Sequence, residues 1–167
     1  ARCVISADLD SDGDIDVLSG GGNWGSSGKI VWYENDGDEI FIEHIISSSV
    51  NLPYSLFSED LDKDGDTDIL TATNGGDEII WYENDGNQNF TEHIVSENVN
   101  GANIVYTIDV DVDGDIDILS SSDGKIVWFE NDGNHNFIER LIQNGSSHAQ
   151  GIHASDIDRD GDIDVLA

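Results

Sequence analysis

Five aspartates recur within nine residues at four places: DLDSDGDID at 8–16, DLDKDGDTD at 60–68, DVDVDGDID at 109–117 and DIDRDGDID at 156–164. Carboxylates at the first, third and fifth positions, with Gly at the sixth to take a sharp turn, wrap hard oxygen donors round one point. Helix-flanked calcium loops carry their closing acid at the twelfth position; here it stands at the ninth, which suits a shorter loop between two strands. On this reading Asp8, Asp10, Asp12 and Asp16 ligate through side chains and Asp14 through its backbone carbonyl. The same roles fall on Asp60, Asp62, Asp64 and Asp68 with the carbonyl of Asp66, and on Asp109, Asp111, Asp113 and Asp117 with the carbonyl of Asp115. In the last loop they fall on Asp156, Asp158, Asp160 and Asp164 with the carbonyl of Asp162. Oxygen-only ligation suits Ca²⁺, one ion per loop and four in all, because Mg²⁺ retains its waters and Zn²⁺ prefers His or Cys.

These loops hold twenty of the 36 acidic residues in a chain of 167, against six Lys plus Arg, for a formal charge of −30. Five carboxylates in nine residues repel one another, a cost the fold would carry four times without a cation. Four Ca²⁺ would bring the formal charge from −30 to −22. Six scattered cations cannot assemble a strip that neutralises phosphates, which excludes nucleic acid as a partner, and attraction to anionic lipid fails for the same reason. No apolar run approaches the roughly 18 residues of a membrane-spanning helix, and no secretory leader opens the chain. A first residue Ala rather than Met reads as a processed or excised piece. Hydrophobic content of 37% is low, but four Trp, four Tyr and five Phe argue for a packed domain. A single Cys forbids an internal disulfide, so outside the cell something else must staple the fold.

The elements that position the loops repeat with them. Loop starts are separated by 52, 49 and 47 residues, and between them recur IVWYENDG at 30–37, IIWYENDG at 79–86 and IVWFENDG at 126–133. FIEHII at 41–46, FTEHIV at 90–95 and FIERLI at 137–142 follow. Each unit divides into four short strands: one before the loop, one after it, the Trp segment, and the alternating Phe-Ile-Glu segment. Gly and Ser punctuate the chain at 19–28, 73–77 and 120–124, and Asn-Asp-Gly predicts a tight hairpin after the Trp strand. Pro53 falls in a connection between repeats. No window shows helical periodicity. Four-stranded antiparallel units of this length in tandem predict an all-β chain of β-propeller blades, approximately 1–49, 50–98 and 99–147, with half of a fourth at 148–167. Trp32, Trp81 and Trp128 at equivalent positions supply the buried layers between blades.

The Asp loop between a first and second strand, inside a fifty-residue repeat, resembles the FG-GAP/VCBS repeats of integrin-α-like β-propellers. The resemblance covers nearly the whole chain. It implies a bladed propeller with calcium in the first hairpin of each blade, in secreted or cell-surface proteins. No literal Phe-Gly or Gly-Ala-Pro flanks the loops, which places the chain nearer the bacterial VCBS branch. A propeller closes with four blades or more, so three and a half imply either further blades of the same protein or association with another copy, as a ring or as a filament.

Remaining residues sort by their repetition. The Trp-Tyr and Trp-Phe pairs read as blade core ahead of sugar-stacking platforms. Trp24 breaks the repeat, as an exposed contact or a locally packed residue. His44 and His93, replaced by Arg140 in the third unit, read as an outer polar face, while His135, His148 and His153 have no repeat partners. Cys3 reads as a buried free thiol. Asn89 and Asn144 open glycosylation sequons, a number that composition alone would produce. No polar set resembles a catalytic cleft. The expectation is a non-enzymatic extracellular scaffold for adhesion, for carbohydrate or protein ligands, or for self-assembly. An accessory or catalytic propeller of a secreted polysaccharide-active enzyme is the alternative.

Overall fold

Runs of β-branched and aromatic residues between Gly- and Asp-rich turns form fourteen strands and no helix among the described residues of the computed structural model, 1–23, 27–38, 40–145 and 149–167. β1 (Cys3–Ala7), β2 (Asp16–Gly21), β3 (Gly28–Asn35) and β4 (Phe41–Val50) form one sheet in that order. β5 (Pro53–Glu59), β6 (Asp68–Thr73), β7 (Glu78–Asn84) and β8 (Phe90–Ser96) form the second. β9 (Ile104–Ile108), β10 (Asp117–Ser122), β11 (Lys125–Asn131) and β12 (Phe137–Asn144) form the third, and β13 (His153–Ser155) pairs with β14 (Asp164–Leu166) in a fourth of two strands. Every pairing is antiparallel between chain neighbours.

Two cores lie between sheets rather than within one. Leu9 of the first Asp loop, with Leu18, Ile30, Trp32 and Val50 of the first sheet, meets Leu56, Ile69, Ile80 and Tyr82 of the second. Leu61 of the second Asp loop, with Leu70, Ile79 and Trp81 of the second sheet, meets Val105, Ile118, Val127 and Phe129 of the third. A sheet stacked on both faces has no polar side, and β6 and β10 are accordingly buried at all six positions. β2, with a neighbour on one face only, alternates buried with half-buried residues. The first strands of the three four-stranded sheets touch one another in succession, whereas β4 and β12 are mostly exposed and β8 is exposed or half-buried throughout. A register irregularity recurs at one place in the pairing of third and fourth strands, at Ile30/Val31, Ile79/Ile80 and Ile126/Val127, and such bulges increase the local twist of the outer edge. Four-stranded sheets stacked in tandem with first strands inward are blades of a β-propeller.

Three local expectations change. Ser19 to Gly21, Thr73, and Ser120 to Ser122 are strand rather than punctuation; Ser120 and Ser121 have no exposed surface, and small side chains there let neighbouring blades approach. Pro53 is not in a connection but opens β5, a first position where its missing N–H breaks no ladder. Asn-Asp-Gly is not a tight two-residue hairpin. Asn84 and Asn131 end their strands and five residues follow before the next, with positive φ at Gly86 and Gly133 and again at Gln88 and His135. The Asp85 and Asp132 side chains cap these turns. The Asn89 amide and the Asn134 N–H are the foremost donors, and they hold the two carboxyls below the usual carboxylate range.

Trp81 is 1% exposed between the second and third blades, and burying a large aromatic dominates such a layer. Trp81→Ala should lower stability by about 3–5 kcal/mol in chemical denaturation. Trp128→Ala should cost less, because its indole is half-buried.

Candidate metal centre

The ninth aspartate of each of the first three loops opens the second strand of its blade, and Asp16, Asp68 and Asp117 have no exposed surface. A buried carboxylate must be hydrogen-bonded. One oxygen accepts the N–H of the loop's second residue: Leu9 at 3.0 Å, Leu61 at 3.1 Å and Val110 at 2.9 Å. The other accepts the N–H of the Asn that ends the third strand, Asn35, Asn84 or Asn131, at 2.8 Å in each blade. That Asn closes the junction, its amide donating to the carbonyl of the loop's eighth residue: Ile15 at 3.2 Å, Thr67 at 3.1 Å and Ile116 at 3.0 Å. Asn84 also reaches back to the Leu9 carbonyl of the preceding blade at 3.0 Å. Burial pushes the Asp68 carboxyl up to about 6 and raises that of Asp117, against the opposing effect of these N–H donors. The Trp81 and Trp128 indole N–H groups also lower the two carboxyls, although neither reaches full hydrogen-bond geometry. In the fourth loop, where no third strand covers it, Asp164 is exposed and accepts only the Ile157 N–H among these donors, at 3.1 Å.

Carboxylates converge in all four loops, with one oxygen from each of three residues lying within 4.8 Å of the other two. The first two loops gather positions one, three and five, as Asp8, Asp10, Asp12 and Asp60, Asp62, Asp64. The last two gather positions one, three and nine, as Asp109, Asp111, Asp117 and Asp156, Asp158, Asp164. The first aspartate differs between the same two pairs of loops. Oδ1 of Asp109 and of Asp156 accepts the N–H of the fifth residue at 3.1 Å. Oδ1 of Asp8 and of Asp60 is buried without a hydrogen-bond partner. Asp113 and Asp160 join neither cluster, although in all four loops the fifth aspartate accepts the N–H of the seventh residue, at 2.8–3.0 Å. The seventh aspartates also stand apart. The Asp14, Asp66 and Asp115 carboxylates lie against Gly37, Gly86 and Gly133 of the hairpin turn, where a Cβ would meet them at 2.4–2.5 Å, and the Asp162 side chain joins no cluster.

Desolvation raises the pKa of the third-position carboxyls Asp10, Asp62 and Asp111, and the neighbouring fifth-position carboxylates raise it further. Glu34, Glu83 and Glu130 add to that repulsion from the third strand. Each is paired in turn: Glu34 with His44 and Glu83 with His93 at 2.6 Å, and Glu130 with Arg140. The loop backbone bends twice through the left-handed region, at the sixth-position Gly and at Ser11, Lys63, Val112 and Arg159 in the fourth position, with φ of 60–66°. A β-branched residue such as Val112 is strained there. Lys63 crosses to the next blade, bonding the Gly114 carbonyl and, at 2.7 Å, Asp115.

The glutamates and the strand-ending asparagines lie outside the loop motif, and the cross-blade Lys63 stands at its unrepeated fourth position. The recurrence of Glu-Asn-Asp-Gly after the Trp was the available signal for the first two. His44 and His93 do more than line an outer face, since each stacks on the Trp of its own blade at 4.5 and 4.6 Å, and Arg140 lies over Trp128 at 5.6 Å. His135 meets Trp81 edge-on at 5.3 Å and His153 meets Tyr106 at 5.8 Å. Cys3 is half-buried, and burial raises its thiol pKa, which keeps the reactive thiolate scarce. Trp24, His148 and Ser146 of the second sequon lie outside the described residues.

A model of the FG-GAP-like repeat matches the chain three times, at residues 8–71, 60–120 and 109–167. The chain belongs to the FG-GAP-like repeat family. No curated protein matches it. Among solved structures, a lectin from Agrocybe aegerita, described for specific recognition of non-reducing terminal N-acetylglucosamine, is similar over 98% of this chain, with a TM-score of 0.68 and 18% identity. The chain spans 46% of that structure's length, and the likeness is one of fold.

Asn84 is 2% exposed, and its amide serves two carbonyls in two blades. Asn84→Ala should cost about 1–3 kcal/mol in urea denaturation. Asn35→Ala should cost less, because Asn35 is half-buried and makes one such bond.

Proposed function

We propose that this chain is a calcium-stabilised β-propeller scaffold of the extracellular space that binds ligands, carbohydrate among them, and catalyses nothing. The observation that carries the calcium reading is the buried, unpartnered Oδ1 of Asp8 and of Asp60 within clusters made of oxygen donors alone. A divalent cation would satisfy those oxygens and offset the repulsion that raises Asp10, Asp62 and Asp111. Position by position the donors fit a hard ion of flexible coordination, with the first and third aspartates in every loop joined by the fifth or the ninth. Sites of this kind fill at the millimolar calcium found outside cells, and there they would take the stabilising role that a single Cys cannot. The fold shared with a lectin supports a carbohydrate ligand. The non-catalytic reading is supported by where most raised carboxyls sit: Asp10, Asp62, Asp68, Asp111 and Asp117 lie within the Asp loops, and Glu78, raised by burial, is hydrogen-bonded to Thr73 at the start of β7.

Because the ion binds the folded loop, its binding free energy adds to folding free energy. Melting followed by circular dichroism should therefore shift down by many degrees when EGTA replaces millimolar calcium. Asp62→Asn with Asp64→Asn should remove one ion from the calorimetric stoichiometry. A melting curve indifferent to EGTA sinks the proposal.

A second reading, of partners, rests on the first blade. Val4 is 60% exposed where its equivalents Leu56 and Val105, packed on the preceding blade, are 4% and 2% exposed. A face built like the two inter-blade layers suits a further blade, from this protein or from another copy. Sedimentation of the 167 residues in calcium should give a mass above that of one chain, falling to one chain with Val4→Glu.

A further inference from the structure

At the end of each sheet opposite its Asp loop, the repeats carry a second set of equivalent positions. Six residues before each loop stand Arg2, Tyr54, Asn103 and Gln150, and six residues after the ninth aspartate stand Gly22, Asn74 and Asp123. Loops, indoles and turns recur almost letter for letter, yet these seven places hold six residue types. The fold brings them together. The Arg2 guanidinium lies over the Tyr54 ring at 4.9 Å, and the Asn74 amide donates to Asn103 Oδ1 at 2.8 Å. Tyr54, Asn74, Asn103, Asp123 and Gln150, with Ile104, line a cleft of about 500 Å³ shared by the second and third blades and the approach to β13. The Asp123 carboxylate is seated against Gly101, where a Cβ would stand 2.7 Å from it.

Packing needs no such variety, since blade ends that meet only water can repeat one residue, as the loops do. Unlike side chains converging at like positions build an asymmetric wall, and an asymmetric wall reads the shape of a ligand. Three carboxamides present donors and acceptors side by side, and the carboxylate accepts. That set matches adjacent hydroxyls, each of which donates and accepts. Tyr54 and Ile104 offer apolar surface to the C–H face of a sugar ring. The single carboxylate and a chain charge of −30 disfavour an anionic ligand. We infer that this cleft binds a neutral saccharide of one or two rings, read by Asn74, Asn103, Asp123 and Gln150. The inference rests on the proposed role of the chain as a binding scaffold and assigns that role a place.

The test is isothermal titration and saturation-transfer difference NMR on the calcium-loaded chain, with glucose, galactose, mannose, N-acetylglucosamine, lactose and chitobiose as probes. At least one should bind. Asn103→Ala and Asp123→Ala should each weaken it tenfold or more with the melting temperature in calcium retained, and Tyr54→Phe should bind where Tyr54→Ala does not. Should Asn103→Ala fail to fold, the Tyr54 pair, whose side chain is exposed, decides. Absence of binding across the panel, binding untouched by these substitutions, or preference for a lysine-rich peptide would each overturn the inference. A calcium-dependent melting shift without saccharide binding defeats the cleft and leaves the calcium reading standing. Saccharide binding with a melting curve indifferent to EGTA does the reverse.

Discussion

A carboxylate with no exposed surface at the start of the second strand holds each complete blade together. Burying that charge is tolerable only with donors on both oxygens, and they come from opposite directions: the loop that has just ended and the third strand two turns later. One side chain therefore sets the loop's path and the register of three strands. The partner Asn must sit at the strand end, so the next turn begins there. The turn's Gly must lack a Cβ, because the seventh aspartate lies against it. The recurring Trp-Tyr-Glu-Asn-Asp-Gly strand is thus the counterpart of the Asp loop.

The second organising feature is packing between blades. Apolar side chains from the two faces of each central sheet enter different layers, so Trp81 and Tyr82, adjacent in sequence, belong to different cores. Hydrogen bonds cross the same boundary, with Asn84 on the Leu9 carbonyl and Lys63 on the next Asp loop. Blades are coupled both through apolar layers and through the rims of their loops. The repeat confines its most concentrated charge to one end of every sheet. The opposite end is free of that repulsion, and there the repeats differ.

Much of this was legible in the residues. Four copies of one nine-residue string, three of one aromatic strand and three of the strand after it established the period, the strand count, the all-β class and the acidic clusters without any coordinate. Repetition makes that possible, because a pattern recurring in register rules out accidents that a single motif cannot. Strand limits were less legible. Ser120 to Ser122 resemble a linker in composition, and only the close approach of two neighbouring sheets makes them interior strand. Pro53 resembles a breaker, and only its first position in β5 makes it harmless.

By itself the sequence determined which residues can gather oxygen donors, because the Asp spacing is local and a nine-residue loop has few ways to turn. Tertiary structure decided the rest. It selected which carboxylate oxygens are buried without a partner, and it showed that Glu34, Glu83 and Glu130 press on the loops from another strand. It also placed Tyr54, Asn103, Asp123 and Gln150 round one cleft. Those relations join residues far apart in the chain, and their distances depend on how blades stack, which local spacing does not encode.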